Sequence, residues 1–374
     1  MFSLHHNNPK LHRRELLRVG GLALGGLSLP GLMQSVKGAE PRPGHTRDAA
    51  DEEASSATPL RALYASLTAE QKRQMCFEWD RPGFTKLPLR LHVTNNWNIS
   101  PVSITSFGKE QQQLIEDVIA SVLRPGWPEK LKRQARDDTG QTWGNQKVAI
   151  FGQPDKGPCQ MIVTGFHLTL RATCETSPPA AFHGAICHGH QPSGFDEKVG
   201  HPNNIFWFQS QFANQVYQAL DKPARQQALI TKDMPFYMVD GKIDRRHILP
   251  GTKLPMPLEP DVRFQGPNGQ FPGLPIREMN AEAKQLAVQT IEGMLQPYRP
   301  VYQQQVWRCL EKQGGLETCS MAFYEQRDLG ADGEWDNWRI EGPAFVWYFR
   351  GAPHVHSWIH VADNPETPVT SHFG

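Results

Sequence analysis

Between Lys109 and Leu123 the apolar residues Leu114, Ile115, Val118, Ile119, Val122 and Leu123 recur at i, i+1, i+4, i+5, i+8 and i+9. This is one stripe at helical period, closed by Pro125-Gly126, and it predicts a helix over 109–123. Thr68 with Gln71 three residues later has the form of a capping box and predicts a helix running towards Cys76. Asp221 ahead of Pro223 predicts a short helix over 222–230. Asn280 caps a predicted helix over 281–295, with Leu286, Ile291, Met294 and Leu295 for its buried face.

Elsewhere the period is two. Val148 to Phe151 is a short apolar run stopped by Gly152. In QMIVTGFHLTLRA (160–172), Ile162, Phe166, Leu168 and Leu170 share one parity, and Val163, Gly165, His167, Thr169 and Arg171 share the other. That alternation predicts a strand whose polar face carries His167 and Arg171. The last third reads as a meander. Strands are expected over Met321–Gln326, Trp338–Glu341, Phe345–Phe349 and His354–Val361, with turns at DLGADGEWD and Gly351-Ala352-Pro353. Helices and strands do not alternate regularly, which argues against a doubly wound parallel sheet. The predicted class is α+β: an antiparallel sheet with a C-terminal β-meander, packed by several helices, in one large domain over 59–374.

The N-terminus differs from the rest. Arg13-Arg14 precedes an apolar stretch, Val19 to Met33, that holds five glycines and is too short to span a bilayer. A basic start, a weakly apolar core and small residues near Gly38-Ala39 predict a twin-arginine signal over 1–39, hence a periplasmic or extracellular protein. Residues 40–58 lack large apolar side chains apart from their flanks and read as a disordered leader. No later stretch is apolar enough for a membrane span. The 39 basic and 38 acidic side chains are interspersed, so neither nucleic acid nor an anionic membrane is indicated as partner; a small-molecule ligand is the expected one. Six cysteines in an exported chain permit disulfides, and Cys309 and Cys319, flanking Gly314-Gly315, are the expected pair.

The candidate chemistry is histidine. His354, His356, Trp358 and His360 fall on one face of a strand over 354–361, and imidazoles at i and i+2 can share a metal ion. A third ligand must come from another strand, for which His167 has matching polarity. The expected metal set is therefore His167, His354 and His356, with His360, Glu341 or the 183–190 segment completing it. Zinc, copper or iron would suit neutral imidazole. HGAICHGHQ (183–191) is glycine-rich and is expected as a loop, its His183, Cys187, His188 and His190 matching no standard zinc spacing. Arg339 and Glu341 are at strand alternation and form either an acid/base pair or an ion pair. There is no G-x-S-x-G elbow, Walker loop or H-E-x-x-H. A metal-dependent enzyme is one reading. The alternative is a non-catalytic binding protein whose tryptophans (Trp79, Trp97, Trp143, Trp335, Trp338, Trp347, Trp358) line a cleft for a small organic or glycan ligand.

NNW (95–97), AIFGQP (149–154), GFHLTLR (165–171), NWRIEGPAFVWYF (337–349) and HVHSWIHVAD (354–363) stand in this order. In that order they resemble the DUF3500 family, a bacterial domain of unknown function often carrying export signals. The resemblance covers roughly 60–374. It departs from the family at Phe166, where a second histidine is usual, and at His372, where an Asp is usual. It implies extent and order of landmarks and names no reaction.

Overall fold

The computed structural model describes residues 57–83, 86–139, 142–190, 205–231, 238–239, 242–243, 262–325, 328, 334–351 and 354–371. The expected signal peptide, His201, His372, nearly all of the expected leader and residues 329–333 of the DLGADGEWD turn lie outside these residues. The leader's last residues, from Ala57, already belong to the first helix.

The helices are α1 (Ala57–Ser66), α2 (Ala69–Met75), α3 (Lys109–Ala120), α4 (Trp127–Thr139), α5 (Trp207–Ala219), α6 (Lys222–Ala228), α7 (Ala281–Leu295) and α8 (Pro300–Lys312). Their starts follow the sequence signals. Thr68 and Gln71 close a reciprocal capping box on α2. Asp221 caps α6 through the Ala224 amide, and Asn280 caps α7 through the Ala283 amide.

The strands are β1 (Cys76–Phe77), β2 (His92–Val93), β3 (Lys147–Gly152), β4 (Cys159–Gly165), β5 (Leu168–Thr173), β6 (Ile186–His190), β7 (Leu229–Ile230), β8 (Met238–Val239), β9 (Lys242–Ile243), β10 (Leu274–Pro275), β11 (Ser320–Tyr324), β12 (Asn337–Gly342), β13 (Phe345–Arg350), β14 (Val355–Val361) and β15 (Thr370–Ser371). Eleven of them form one sheet in the order β1-β3-β4-β5-β6-β14-β13-β12-β11-β10, with β7 also on β11. The run from β3 to β10 is antiparallel throughout. The sheet as a whole is mixed, because β1 joins β3 and β7 joins β11 in parallel. The expected meander is present as β11 to β14. Beside it β6 inserts against β14, so the chain's two halves meet in the middle of the sheet.

The faces differ. One is covered by helices: Val148, Val163, Leu170, Ile186, Ile340, Trp347 and Ile359 pack there with Ile119, Met294 and Val306. The other is covered by short irregular segments, where Val93, Val262 and Val369 meet Cys187, Tyr348 and Trp358.

The predicted single strand over 160–172 is in fact a hairpin. β4 and β5 pair with Gly165 opposite Leu168, leaving Phe166-His167 as a two-residue turn. Val163 therefore pairs with Leu170 and Ile162 with Arg171, so Ile162 and Leu170 face opposite ways. Met161, Ile162 and Val163 are apolar at both parities because both faces of the sheet are buried, so alternation alone does not locate the turn. His167 takes φ 56°, the left-handed region that favours small or polar residues in tight hairpins.

The hairpin's open end is closed by a Cys159–Cys174 disulfide, with Cα atoms 5.4 Å apart. The expected Cys309–Cys319 bridge is absent and both thiols are buried and free. Cys309 on α8 lies against the Pro179 carbonyl, whereas Cys319 sits under Gly342 of β12. Proximity in sequence across a glycine turn did not aim them at one another.

Candidate metal centre

One end of the sheet gathers the hairpin turn of β4–β5, the end of β6, the start of β14 and the end of β13. Register dictates this: Leu168 lies opposite His188, His190 opposite Val355, and Arg350 opposite His356. His167, His354 and His356 therefore converge, each offering a ring nitrogen within 4.8 Å of the others. The ring centroids of His354 and His356 are 4.6 Å apart, and that of His167 lies 5.1 and 4.8 Å from them. Gly189 makes room. A Cβ there would stand 3.0 Å from the His356 ring and 3.2 Å from the His167 ring, and would collide with the Val355 carbonyl.

The last turn of α4 brings in Asp138. Its Oδ2 lies 2.6 Å from His167 Nδ1, and its Oδ1 lies 2.9 Å from His190 Nδ1. The second contact is off the line of a straight N–H···O bond, and both His190 nitrogens lack a straight hydrogen bond. A carboxylate at a helix C-terminus opposes the helix dipole, and the two imidazoles offset that cost. Gln134, one turn earlier, donates to the Gly189 carbonyl and ties α4 to β6.

On the other side Arg350 Nη2 lies 2.7 Å from His356 Nδ1 and 3.4 Å from His354 Nε2. His354 Nε2 and His356 Nε2 are 2.8 Å apart. The Asn95 amide nitrogen flanks the His356 ring, 3.0 Å from Nδ1 and 3.1 Å from Nε2.

The electrostatics keep the trio neutral. Burial, then the Arg350 charge, brings His354 down to about 2. The same two causes, with His167 and His354 adding to them, hold His356 well below its ordinary value. Burial also lowers His167, with Asp138 opposing. Burial works to raise the Asp138 carboxyl, but its contacts with His167 and His190 outweigh it and leave it below its ordinary value. Near pH 7 the centre thus holds uncharged imidazoles beside an ionised carboxylate. This is the protonation state in which histidine ligates a metal. Asp138 on Nδ1 of His167 fixes the tautomer that leaves Nε2 bare, as a carboxylate behind a ligating histidine does. Metal–nitrogen bonds of about 2.1 Å put tetrahedral ligands about 3.4 Å apart, so small side-chain rotations would close the trio on an ion.

Other expected residues fall elsewhere. His360 shares the face of His356, but its Nδ1 donates to the Val262 carbonyl at 2.8 Å and its ring stacks on Phe264. It does not join the trio. Glu341 forms a buried 2.8 Å ion pair with Arg339 and accepts from Gln265. Among the described residues of HGAICHGHQ, only the first three precede a strand: Ile186–His190 is β6. Its alternation sends His188 and His190 to the helical face and Cys187 to the other. His183, at φ 59°, pairs with Glu175. Of the seven tryptophans proposed for a cleft, Trp97, Trp143, Trp338, Trp347 and Trp358 are buried in the core.

His190 was expected only as part of the 183–190 segment, and Asp138, Arg350 and Asn95 were not anticipated as site residues. For Asp138 a signal existed. Trp127, Leu131, Gln134, Ala135 and Asp138 lie at i, i+4, i+7, i+8 and i+11, an apolar stripe that turns polar as it reaches the sheet's end.

The family model described as "Protein of unknown function (DUF3500)" matches residues 50–364 of the chain. No curated protein and no solved structure gives a significant match.

Proposed function

From a chain that belongs to the DUF3500 family, whose description carries no activity, we propose a protein that binds one transition-metal ion through His167, His354 and His356. The observation that carries this is the convergence of three neutral imidazoles, two buried and His354 half-buried, on one point with a carboxylate 2.6 Å behind one of them. Clustered neutral imidazoles present ring-nitrogen lone pairs to one another, and a metal ion is the acceptor that several such lone pairs can share. Zinc, copper and iron all accept such a donor set. Three protein ligands leave a coordination position open, the arrangement of a catalytic rather than a structural site, so the reading extends to a metal-dependent enzyme acting on a small molecule. Export through the twin-arginine route, which carries folded proteins, would let the ion be loaded first. Arg13-Arg14 and a disulfide support an oxidising destination, periplasmic or extracellular.

The test is elemental analysis of protein produced with its own N-terminus, beside His354→Ala/His356→Ala, with the mature N-terminus sequenced on the same sample. The expected result is about one ion per chain, lost in the double variant, and a new N-terminus near residue 39. Equal metal in both proteins, or none in either after adding zinc, copper or iron, sinks the metal reading; an intact Met1 sinks the export reading.

A further inference from the structure

We propose that Arg350 is a built-in competitor of the metal: its guanidinium caps His356, and an ion is taken up only when the guanidinium moves off. This rests on the metal reading above and adds the residue that sets its affinity.

A guanidinium has N–H donors and no acceptor. Arg350 Nη2 at 2.7 Å therefore requires a bare lone pair on His356 Nδ1. A neutral imidazole carries one proton, so that of His356 is on Nε2. There it faces His354 Nε2 at 2.8 Å and donates to it. The 3.4 Å contact from Arg350 to the same His354 nitrogen agrees, since that atom too must accept. The centre is thus a directed chain, Arg350 to His356 to His354, while His167 donates separately to Asp138.

The three histidines are consequently not equivalent. His167 has its Nε2 bare, set by Asp138. His354 has its Nε2 bare, engaged only by donors. His356 has no nitrogen to give. Ligation through Nδ1 needs the lone pair that Arg350 occupies. Ligation through Nε2 needs the proton shifted to Nδ1, where it would point at the guanidinium N–H. Either way Arg350 must leave His356 before a neutral His356 can ligate. Its charge, a few ångströms from the ion, also repels it in a site where burial weakens screening. The register of β13 on β14 fixes Arg350 directly opposite His356, so this opposition is built into the sheet.

The test compares zinc and copper(II) affinities of the wild-type chain and Arg350→Met by competition with a chelator, at one pH and ionic strength, with folding checked by circular dichroism. Methionine keeps an unbranched apolar stem and removes the donor. The expected result is tighter binding by about tenfold or more in Arg350→Met. Equal or weaker binding by a folded variant overturns the proposal and leaves the metal reading standing. Uptake by neither protein overturns both. Should Arg350→Met not fold, wild-type protein with 15N-labelled arginine decides the matter. The Arg350 side-chain resonance, assigned as the one missing from Arg350→Lys, should shift on adding zinc in step with metal uptake. A resonance unchanged in metal-loaded protein overturns the proposal.

Discussion

Two sets of histidines lie within the same sheet or at its end, and their polar atoms are satisfied differently. His188 and His360 sit within the sheet's span. His188 Nε2 lies 3.2 Å from Gln209 Oε1 and its Nδ1 3.2 Å from the Tyr298 hydroxyl, while Gln209 anchors its own amide nitrogen on Met294. His188 thus donates to one neutral group and accepts from another. His360 donates to a backbone carbonyl. These are local, uncharged solutions to burial. The trio at the sheet's end uses charged residues instead, Asp138 on one flank and Arg350 on the other, with imidazole facing imidazole. Neutral partners suffice to hold a histidine in a core. A carboxylate and a guanidinium set against clustered imidazoles mean that tautomers are being fixed, and fixed tautomers matter where a ligand is to arrive.

The largest test of this contrast is acid. Burial brings His188 and His360 to about 4. The unfolded chain, with histidine near 6.5, binds more protons than the folded one between about pH 6.5 and pH 4, so stability is full above that window and falls as pH drops through it. Each of the two contributes up to about 3 kcal/mol of that loss. Urea unfolding of metal-free protein at steps from pH 7 to pH 4 should show it, and His188→Gln should flatten the slope by roughly half of what the pair supplies. A stability constant across the window would mean that these histidines are not held neutral by burial.

Next in size is Asp138→Asn, which keeps shape and removes charge. The amide can accept from only one imidazole while its NH2 confronts the other, so His167 or His190 must change tautomer. Metal affinity should fall by about 10- to 100-fold, with little change in the share of the acid profile that His188 and His360 supply. Unchanged affinity would show that the carboxylate only braces α4 against the sheet, and the contrast between the two sets would lose its charged half.

How much of this could be read from the sequence follows from what each signal encodes. Period two placed His354, His356 and His360 on one strand face, and β14 has that face. Helix caps at Thr68, Asp221 and Asn280 were legible because they are local. His167 was expected in the site on strand parity, yet it reaches it as a turn residue at φ 56°. No Asn-Gly or Asp-Gly marks that turn, and the flanking apolar run hides it. His190 was read into a loop because glycines surround it, although Gly189 serves to admit two rings rather than to bend the chain. Asp138 and Arg350 depend on which helix end and which strand end meet, that is, on topology, and a pattern along the chain carries little of that. The disulfide belongs to the same class: Cys159 and Cys174 became neighbours only once the hairpin existed.

The smallest expected effect bears on His360, which spacing alone had added to the trio. From His356 to His360 the strand advances four residues, about 13 Å, against a metal–nitrogen bond of about 2.1 Å. No side-chain rotation spans that distance while β14 stays in register, and the His360 Nδ1 proton is already engaged by Val262. His360→Asn keeps a donor for that carbonyl and gives up the stacking on Phe264, so stability at neutral pH should drop by about 1 kcal/mol. Metal content and affinity should stay at wild-type values. The acid slope should ease by the share His360 supplies, because the group that must charge is gone. Loss of metal in this variant would instead bring His360 into the centre. It would mean that β14 shifts register on loading, since only such a shift could carry a residue four positions along the strand to the ion. Retention of metal together with the eased acid slope would separate by experiment the two histidines of β14, His356 as binding and His360 as structural.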